Sequence, residues 1–271
     1  MRGKHLVRLT YSPSSSWSEV LLFEPTGNGE AEPEPNEAHS LKTALKSEIS
    51  WAGGSNFAGL VLGWRERSGV WLGEFVNLEL WSGLFLYADA AHEKGNKAYY
   101  PSRIPGSELI SFAQKNRDNA SLEHYATIGL RYAFESGMDW RLETILQSAG
   151  YSTEELGWAA KALASPHPAQ LAILFSQSPA VRFSGLDFPS RHYLFSSLRL
   201  PNVFNVQDWA IYVRGLESLE DHSSTFFASS ENAVGSHGTF LGNIGLSLGD
   251  TGGELRGPWE IFATLAYRHA W

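Results

Sequence analysis

Seven arginines have the type and spacing to do chemistry together. Arg8 stands between Val7 and Leu9, Arg65 follows Trp64, Arg131 lies between Leu130 and Tyr132, and Arg141, Arg199, Arg214 and Arg268 have similar apolar neighbours. In an extended chain successive side chains point to opposite faces, so these arginines share the face opposite the aliphatics. Lys46, Glu48, Glu79, Asp89, Glu143 and Glu260 fall on the same face. Fixed charges so arranged either pair across neighbouring strands and keep a wall wet, or form an arginine ladder that attracts anionic solutes. Bases exceed acids only slightly in this set, so the expected anion preference is weak.

Hydrolysis would instead need a Ser or Thr beside an oriented His. His192 and Ser196 are four apart on one strand face, too far for direct contact. His222 with Ser223, and Ser236 with His237, would point to opposite faces if extended. The nine histidines have no metal-ligand spacing, and the glycine-rich run from Gly249 to Gly257 precedes no helix that would make it a phosphate cradle. No catalytic residue, metal or cofactor is therefore expected.

Placing the charges on one face requires many alternating strands. The period-two pattern predicts about thirteen, near 5–12, 17–25, 42–51, 57–66, 70–80, 84–92, 126–134, 140–147, 190–200, 206–216, 223–230, 237–248 and 259–271. Glu74 falls on the apolar side of the fifth, which predicts a bulge or a register slip there. The links alternate between short turns and variable connections, three of them long. Residues 27–40 interleave Glu with Pro and read as a solvated loop. The 93–120 link is expected to hold a short helix from Ser107 to Lys115. Ser152 and Glu155 form a capping box opening a helix, and Pro166-His167-Pro168 separates it from a second, so 150–188 reads as a helical loop.

Composition narrows the class. Net charge is −8, so no general basic surface for nucleic acid exists, and without cysteine there is no disulfide framework. No apolar run approaches the roughly 20 residues of a membrane helix, but a membrane strand needs only about ten alternating residues. A soluble β-sandwich is the structural alternative. A dry sandwich core would have to bury the arginine-lined face as many ion pairs.

The last thirteen residues run Trp259-Glu260-Ile261-Phe262-Ala263-Thr264-Leu265-Ala266-Tyr267-Arg268-His269-Ala270-Trp271, a strand apolar on one face with aromatics near both ends. This stretch resembles the C-terminal strand of Gram-negative outer-membrane β-barrel proteins. It departs from them in ending on Trp271, where Phe is commoner, and in carrying His269 at a usually apolar position. The resemblance implies that Leu265, Tyr267, His269 and Trp271 form the signal read by the barrel-insertion machinery. It also implies an all-β fold, an antiparallel transmembrane β-barrel of about 13–14 strands spanning 1–271 as one domain, in the outer membrane with lipid around it. The implied function is a porin-like passive path for small polar or ionic solutes, lined by the charged face. A non-conducting barrel that presents its loops to a ligand or partner is the second expectation, and an outer-membrane lipid hydrolase the third. An odd strand count, and a basic Met1-Arg2-Gly3-Lys4 with no apolar export segment behind it, lead to the further expectation of a missing N-terminal strand and leader.

Overall fold

The computed structural model describes residues 6–24, 42–65, 69–95, 98–114, 121–177, 189–203, 206, 209–234, 238–249, 253–255 and 260–269, with Val234 and His269 through their backbone only. Met1 to Lys4, the 27–40 loop, Lys115, the 178–188 part of the helical loop, Ser236, His237, most of 249–257, Trp259 and Trp271 lie outside the described residues.

Thirteen strands form one antiparallel sheet in chain order. They are β1 (Val7–Ser14), β2 (Trp17–Glu24), β3 (Lys42–Trp51), β4 (Asn56–Arg65), β5 (Gly69–Trp81), β6 (Leu84–Lys94), β9 (Leu122–Ala133), β10 (Asp139–Gln147), β11 (His192–Leu200), β12 (Trp209–Ser218), β13 (Ser224–Val234), β14 (Gly238–Leu248) and β15 (Ile261–His269). A separate two-stranded sheet pairs β7 (Tyr99–Arg103) with β8 (Ile110–Gln114), and two short helices follow, α1 (Thr153–Ala164) and α2 (Pro168–Ser176). The chain is therefore all-β with a small mixed insertion. Aromatic and β-branched residues fill the strands, and the tightest turns need glycine: Gly83 has φ 82°, and a Cβ there would meet the Ala133 carbonyl oxygen at 2.4 Å.

Because every neighbour is antiparallel, the links fall strictly on two ends of the sheet. One end carries the short connections after β1, β3, β5, β9, β11 and β13. The other carries the long ones after β2, β6 and β10, with the shorter links after β4, β12 and β14. Both β1 and β15 run from the long-link end to the short-link end. Among the described residues β1 pairs only with β2 and β15 only with β14. Closing the sheet would take either a parallel seam between them or one further strand antiparallel to both.

Two sequence expectations are corrected. The ladders of β5 with β4 and β6 run unbroken through Glu74, opposite Leu60 and Ala90, and the irregularity lies instead between Glu79 and Trp81. Glu74 thus stands on the apolar face in regular register. The helix expected from Ser107 is absent, because Ile110 to Gln114 form β8. Its two apolar side chains, Ile110 and Phe112, are buried against Ala162 with Trp158 and Leu174 beside them. Its outer backbone edge is closed by side chains of α2 and its C-cap. The Gln170 amide accepts from the Ile110 N–H at 2.8 Å and donates to the Ile110 carbonyl at 2.9 Å, and Gln177 Oε1 accepts from the Phe112 N–H at 2.9 Å. The capping box is present as expected, with the Ser152 hydroxyl accepting from the Glu155 N–H and Glu155 reaching back to the Ser152 N–H.

This insertion holds most of the chain's conventional apolar core. Ala98, Tyr100, Tyr151 and Leu156 make one buried group, and Ile110, Phe112 and Ala162 another. It docks on the long-link end through the Tyr100 hydroxyl, which donates to the Ala149 carbonyl at 2.7 Å, and the Thr153 hydroxyl, which donates to Glu220 O at 3.3 Å.

Candidate functional site

Strand register carries the charged residues onto one face. Directly paired residues point the same way, and the ladders link Arg8 to Leu22 and Ala44, Lys46 to Val61, Glu48 to Gly59, Arg65 to Lys42, Glu79 to Phe85, Asp89 to Thr127, Arg131 to Arg141 and Glu143 to Gly129. Arg199 faces Asp139 and Tyr212, Arg214 faces Ser197 and Phe227, and Arg268 faces Thr239. Glu260 enters this face next to β15, its carbonyl accepting from the Ser247 N–H at 2.9 Å.

The same face holds ions outside the sequence set. Glu24 lies 3.9 Å from Lys42, Glu93 3.8 Å from Arg65, and Glu231 3.5 Å from Arg268. Arg131 and Arg141 stand directly opposite each other, a like-charge pair that is unfavourable alone. Asp139 relieves it by accepting from Arg131 Nε at 2.6 Å and Arg141 Nε at 3.2 Å. Close by, the Tyr87 hydroxyl donates to Glu143. With Lys46 and Glu48 2.7 Å apart, the dominant pattern is ion pairing within and between strands.

Aromatic rings on this face lie over glycines of the adjoining strand. A Cβ on Gly63 would fall 2.0 Å from Trp71 Cε2, on Gly129 2.4 Å from Tyr87 Cζ, and on Gly245 2.1 Å from Phe262 Cε1. The rings fill the space the glycines leave, in the manner of aromatic rescue of a strand glycine.

The opposite face is apolar and is the more exposed of the two. Leu60 is 54% exposed, Ile128 50% and Leu265 81%, whereas Val20, Ile145 and Tyr193, the buried apolar residues of the sheet, all lie on the polar face. Tyr11, Trp17, Trp51, Trp81, Tyr132, Trp140, Trp209, Phe240 and Tyr267 gather on the apolar face at the short-link end. From Asn56, opposite Trp51, to Trp64 at the other end, β4 advances about 26 Å at ~3.3 Å per residue. Of the terminal residues singled out above, Leu265 and Tyr267 lie on this face, Tyr267 with its ring centroid 5.0 Å from that of Phe240. His269 pairs with Gly238 through its backbone.

Among the described residues, His192 and Ser223 have other partners. His192 Nδ1 lies 2.6 Å from Glu220 Oε1, and its backbone N–H donates to Glu220 Oε2 at 3.0 Å. The Ser223 hydroxyl donates to Asp221 at 2.7 Å.

A polar cluster fixes residues 253–255 to the long-link end. Glu254 accepts from the Ser190 N–H at 3.0 Å and from the Ser190 and Tyr193 hydroxyls, and the Ser190 and Ser218 hydroxyls are 2.7 Å apart. Asp221 accepts from the Glu254 N–H at 2.7 Å and from the Ser223 N–H at 2.9 Å, and Ser223 Oγ accepts from the Leu255 N–H at 3.1 Å. Burial pushes the Glu254 carboxyl above the usual range, against the Ser190 and Tyr193 hydrogen bonds. Burial works the same way on Asp221, but the donors from Glu254, Ser223 and Ser218 outweigh it and hold that carboxyl low. Asp221→Ala is expected to lower the local opening free energy of this clamp by about 2–3 kcal/mol. Hydrogen exchange at the Glu254 and Leu255 amides checks this. Since Asp221 has a lowered pKa, its contribution is present above its unfolded value and lost as pH falls through the folded one, so the difference from wild type should close in acid.

The chain matches no protein-family model, and comparison with curated proteins and with solved structures gives no match.

Proposed function

We propose that the chain is a porin-like transmembrane β-barrel of the bacterial outer membrane, a passive path for small polar or ionic solutes. The observation that carries the reading is the inverted sheet: its large aliphatics are exposed on one face, with aromatics banded at one end, and most of its ions stand on the other. In water a continuous apolar face of this extent is an aggregation hazard. In a bilayer it suits an apolar band facing the hydrocarbon, with aromatics at the interface and polar residues toward a lumen. The wall in this reading is nearly charge-balanced, since Glu93, Asp139 and Glu231 answer arginines and Glu24 answers Lys42. That favours ion pairing over an anion-attracting ladder.

Current across a planar lipid bilayer after refolding tests the proposal. Discrete, reproducible conductance steps are expected, and silence from protein shown to be inserted and folded would contradict a pore. Asp139→Asn removes the charge between Arg131 and Arg141 and is expected to raise the chloride-to-potassium permeability ratio about two- to fivefold, the effect of one charge a few ångströms from the ion path at water-like dielectric. Reversal potentials in a salt gradient give the ratio.

The loop-presenting reading draws support from the insertion at the long-link end, which has its own core and exposes Phe175 to 79%. Deleting 98–113 and 152–177 distinguishes the two, because a pore keeps or gains conductance whereas a loop-presenting barrel loses its binding.

A further inference from the structure

Glu74 is one of the few ionic side chains on the apolar face, with Glu19 in the same row and Lys94 and Glu217 near the ends of β6 and β12. It sits near the middle of β5, in a row with Leu60 and Ala90, on a shallow groove of about 490 Å³ lined mostly by Ser47, Ile49, Ala58, Leu60, Val76 and Ala90. The other carboxylate near this row, Glu19, accepts hydrogen bonds from Trp17 Nε1 and Ser47 Oγ, each at 2.8 Å. Among the described residues Glu74 has His92 Nε2 nearby, at 3.8 Å, beyond hydrogen-bonding distance, and its side chain is 49% exposed. His92 Nδ1 contacts His124 Nδ1 at 2.7 Å, so one ring donates to the other. With His124 as donor, His92 carries its proton on Nε2 and presents a donor beside an acceptor it does not reach.

We propose that a second copy of this chain covers the groove, in an isologous contact whose two-fold axis passes between β5 and β6. A donor and an acceptor side by side are self-complementary under such an axis: each Glu74 meets the His92 of the other copy, twice over. Hydrocarbon has no donor to offer a carboxylate, which is costly at membrane depth unless paired. The floor of Ala58, Ala88 and Ala90 lets a second sheet approach closely, as small residues do between membrane helices. The inference rests on the bilayer reading above.

Sedimentation equilibrium of the full chain in density-matched detergent, with insertion into vesicles checked in parallel by protease protection, tests it. A dimer is expected, with Glu74→Leu lowering the association constant about 10- to 100-fold for two lost polar contacts. Ala90→Trp should fill the floor and give a monomer. Because the chain has no cysteine, a bifunctional maleimide should join copies of Ala90→Cys and not of Leu265→Cys. An inserted wild-type chain that stays monomeric, its groove then covered by lipid or by another protein, overturns the dimer alone. So does an association unchanged in both Glu74→Leu and Ala90→Trp. A chain that never inserts overturns the bilayer reading and the inference that rests on it.

Discussion

On the bilayer reading, Ile128→Arg is expected to cost about 2–4 kcal/mol of folding free energy in phospholipid vesicles, the penalty for arginine near the midplane of a barrel's lipid face. Ile128 lies midway along β9 on the apolar face, between Ala88 and Thr144, and is half exposed. In an ordinary soluble sheet the same exposed position would tolerate the change within about 0.5 kcal/mol. Thr127→Arg, one residue away on the polar face, is the control and should cost little. Denaturant titration of the refolded variants measures both.

The second large effect concerns Gly63. In a strand interior, replacing glycine by valine ordinarily gains about 0.5–1 kcal/mol in conformational preference. Here the Cβ would overlap the Trp71 ring, which also lies under the Arg65 guanidinium at 5.9 Å. Gly63→Val should therefore destabilise by about 1–3 kcal/mol, the cost of overpacking. In a Trp71→Leu background most of that cost should vanish. A double-mutant cycle read by thermal or denaturant unfolding gives the coupling between the two positions.

Much of this arrangement was legible in the sequence because strand periodicity is short and local. Alternation alone placed Arg131, Arg141 and Glu143 opposite Leu130 and Leu142, and the ladder of β9 with β10 repeats that pattern. It failed where alternation stops being informative. Glu93, Asp139 and Glu231 stand where the apolar face gives out at the strand ends, yet the backbone ladder continues through them, so the acids that answer the arginines were missed. Glu74 looked like a slip of register because an ion on the apolar face violates the pattern, although the pairing there is regular. β8 holds only Ile110 and Phe112 as large apolar residues, too few to declare a period, and the groups that pack on it and close its edge, Ala162, Gln170 and Gln177, lie some fifty to sixty-five residues on. The clamp joining Ser190, Ser218, Asp221 and Glu254 draws on three separate links, and no local signal connects them.

The most direct test of the inverted sheet is a single-cysteine scan along β9 from position 125 to 132 in the refolded, lipid-inserted protein, which has no native cysteine to interfere. A membrane-impermeant thiol reagent should label 125, 127 and 131, with 129 left out because the Tyr87 ring covers Gly129, while 126, 128 and 130 should resist it and show quenching of an attached fluorophore by lipid-borne quenchers. Position 132, in the aromatic band, should fall between the two. Uniform labelling by the aqueous reagent along the strand, or the opposite alternation, would contradict the placement of the apolar face in lipid.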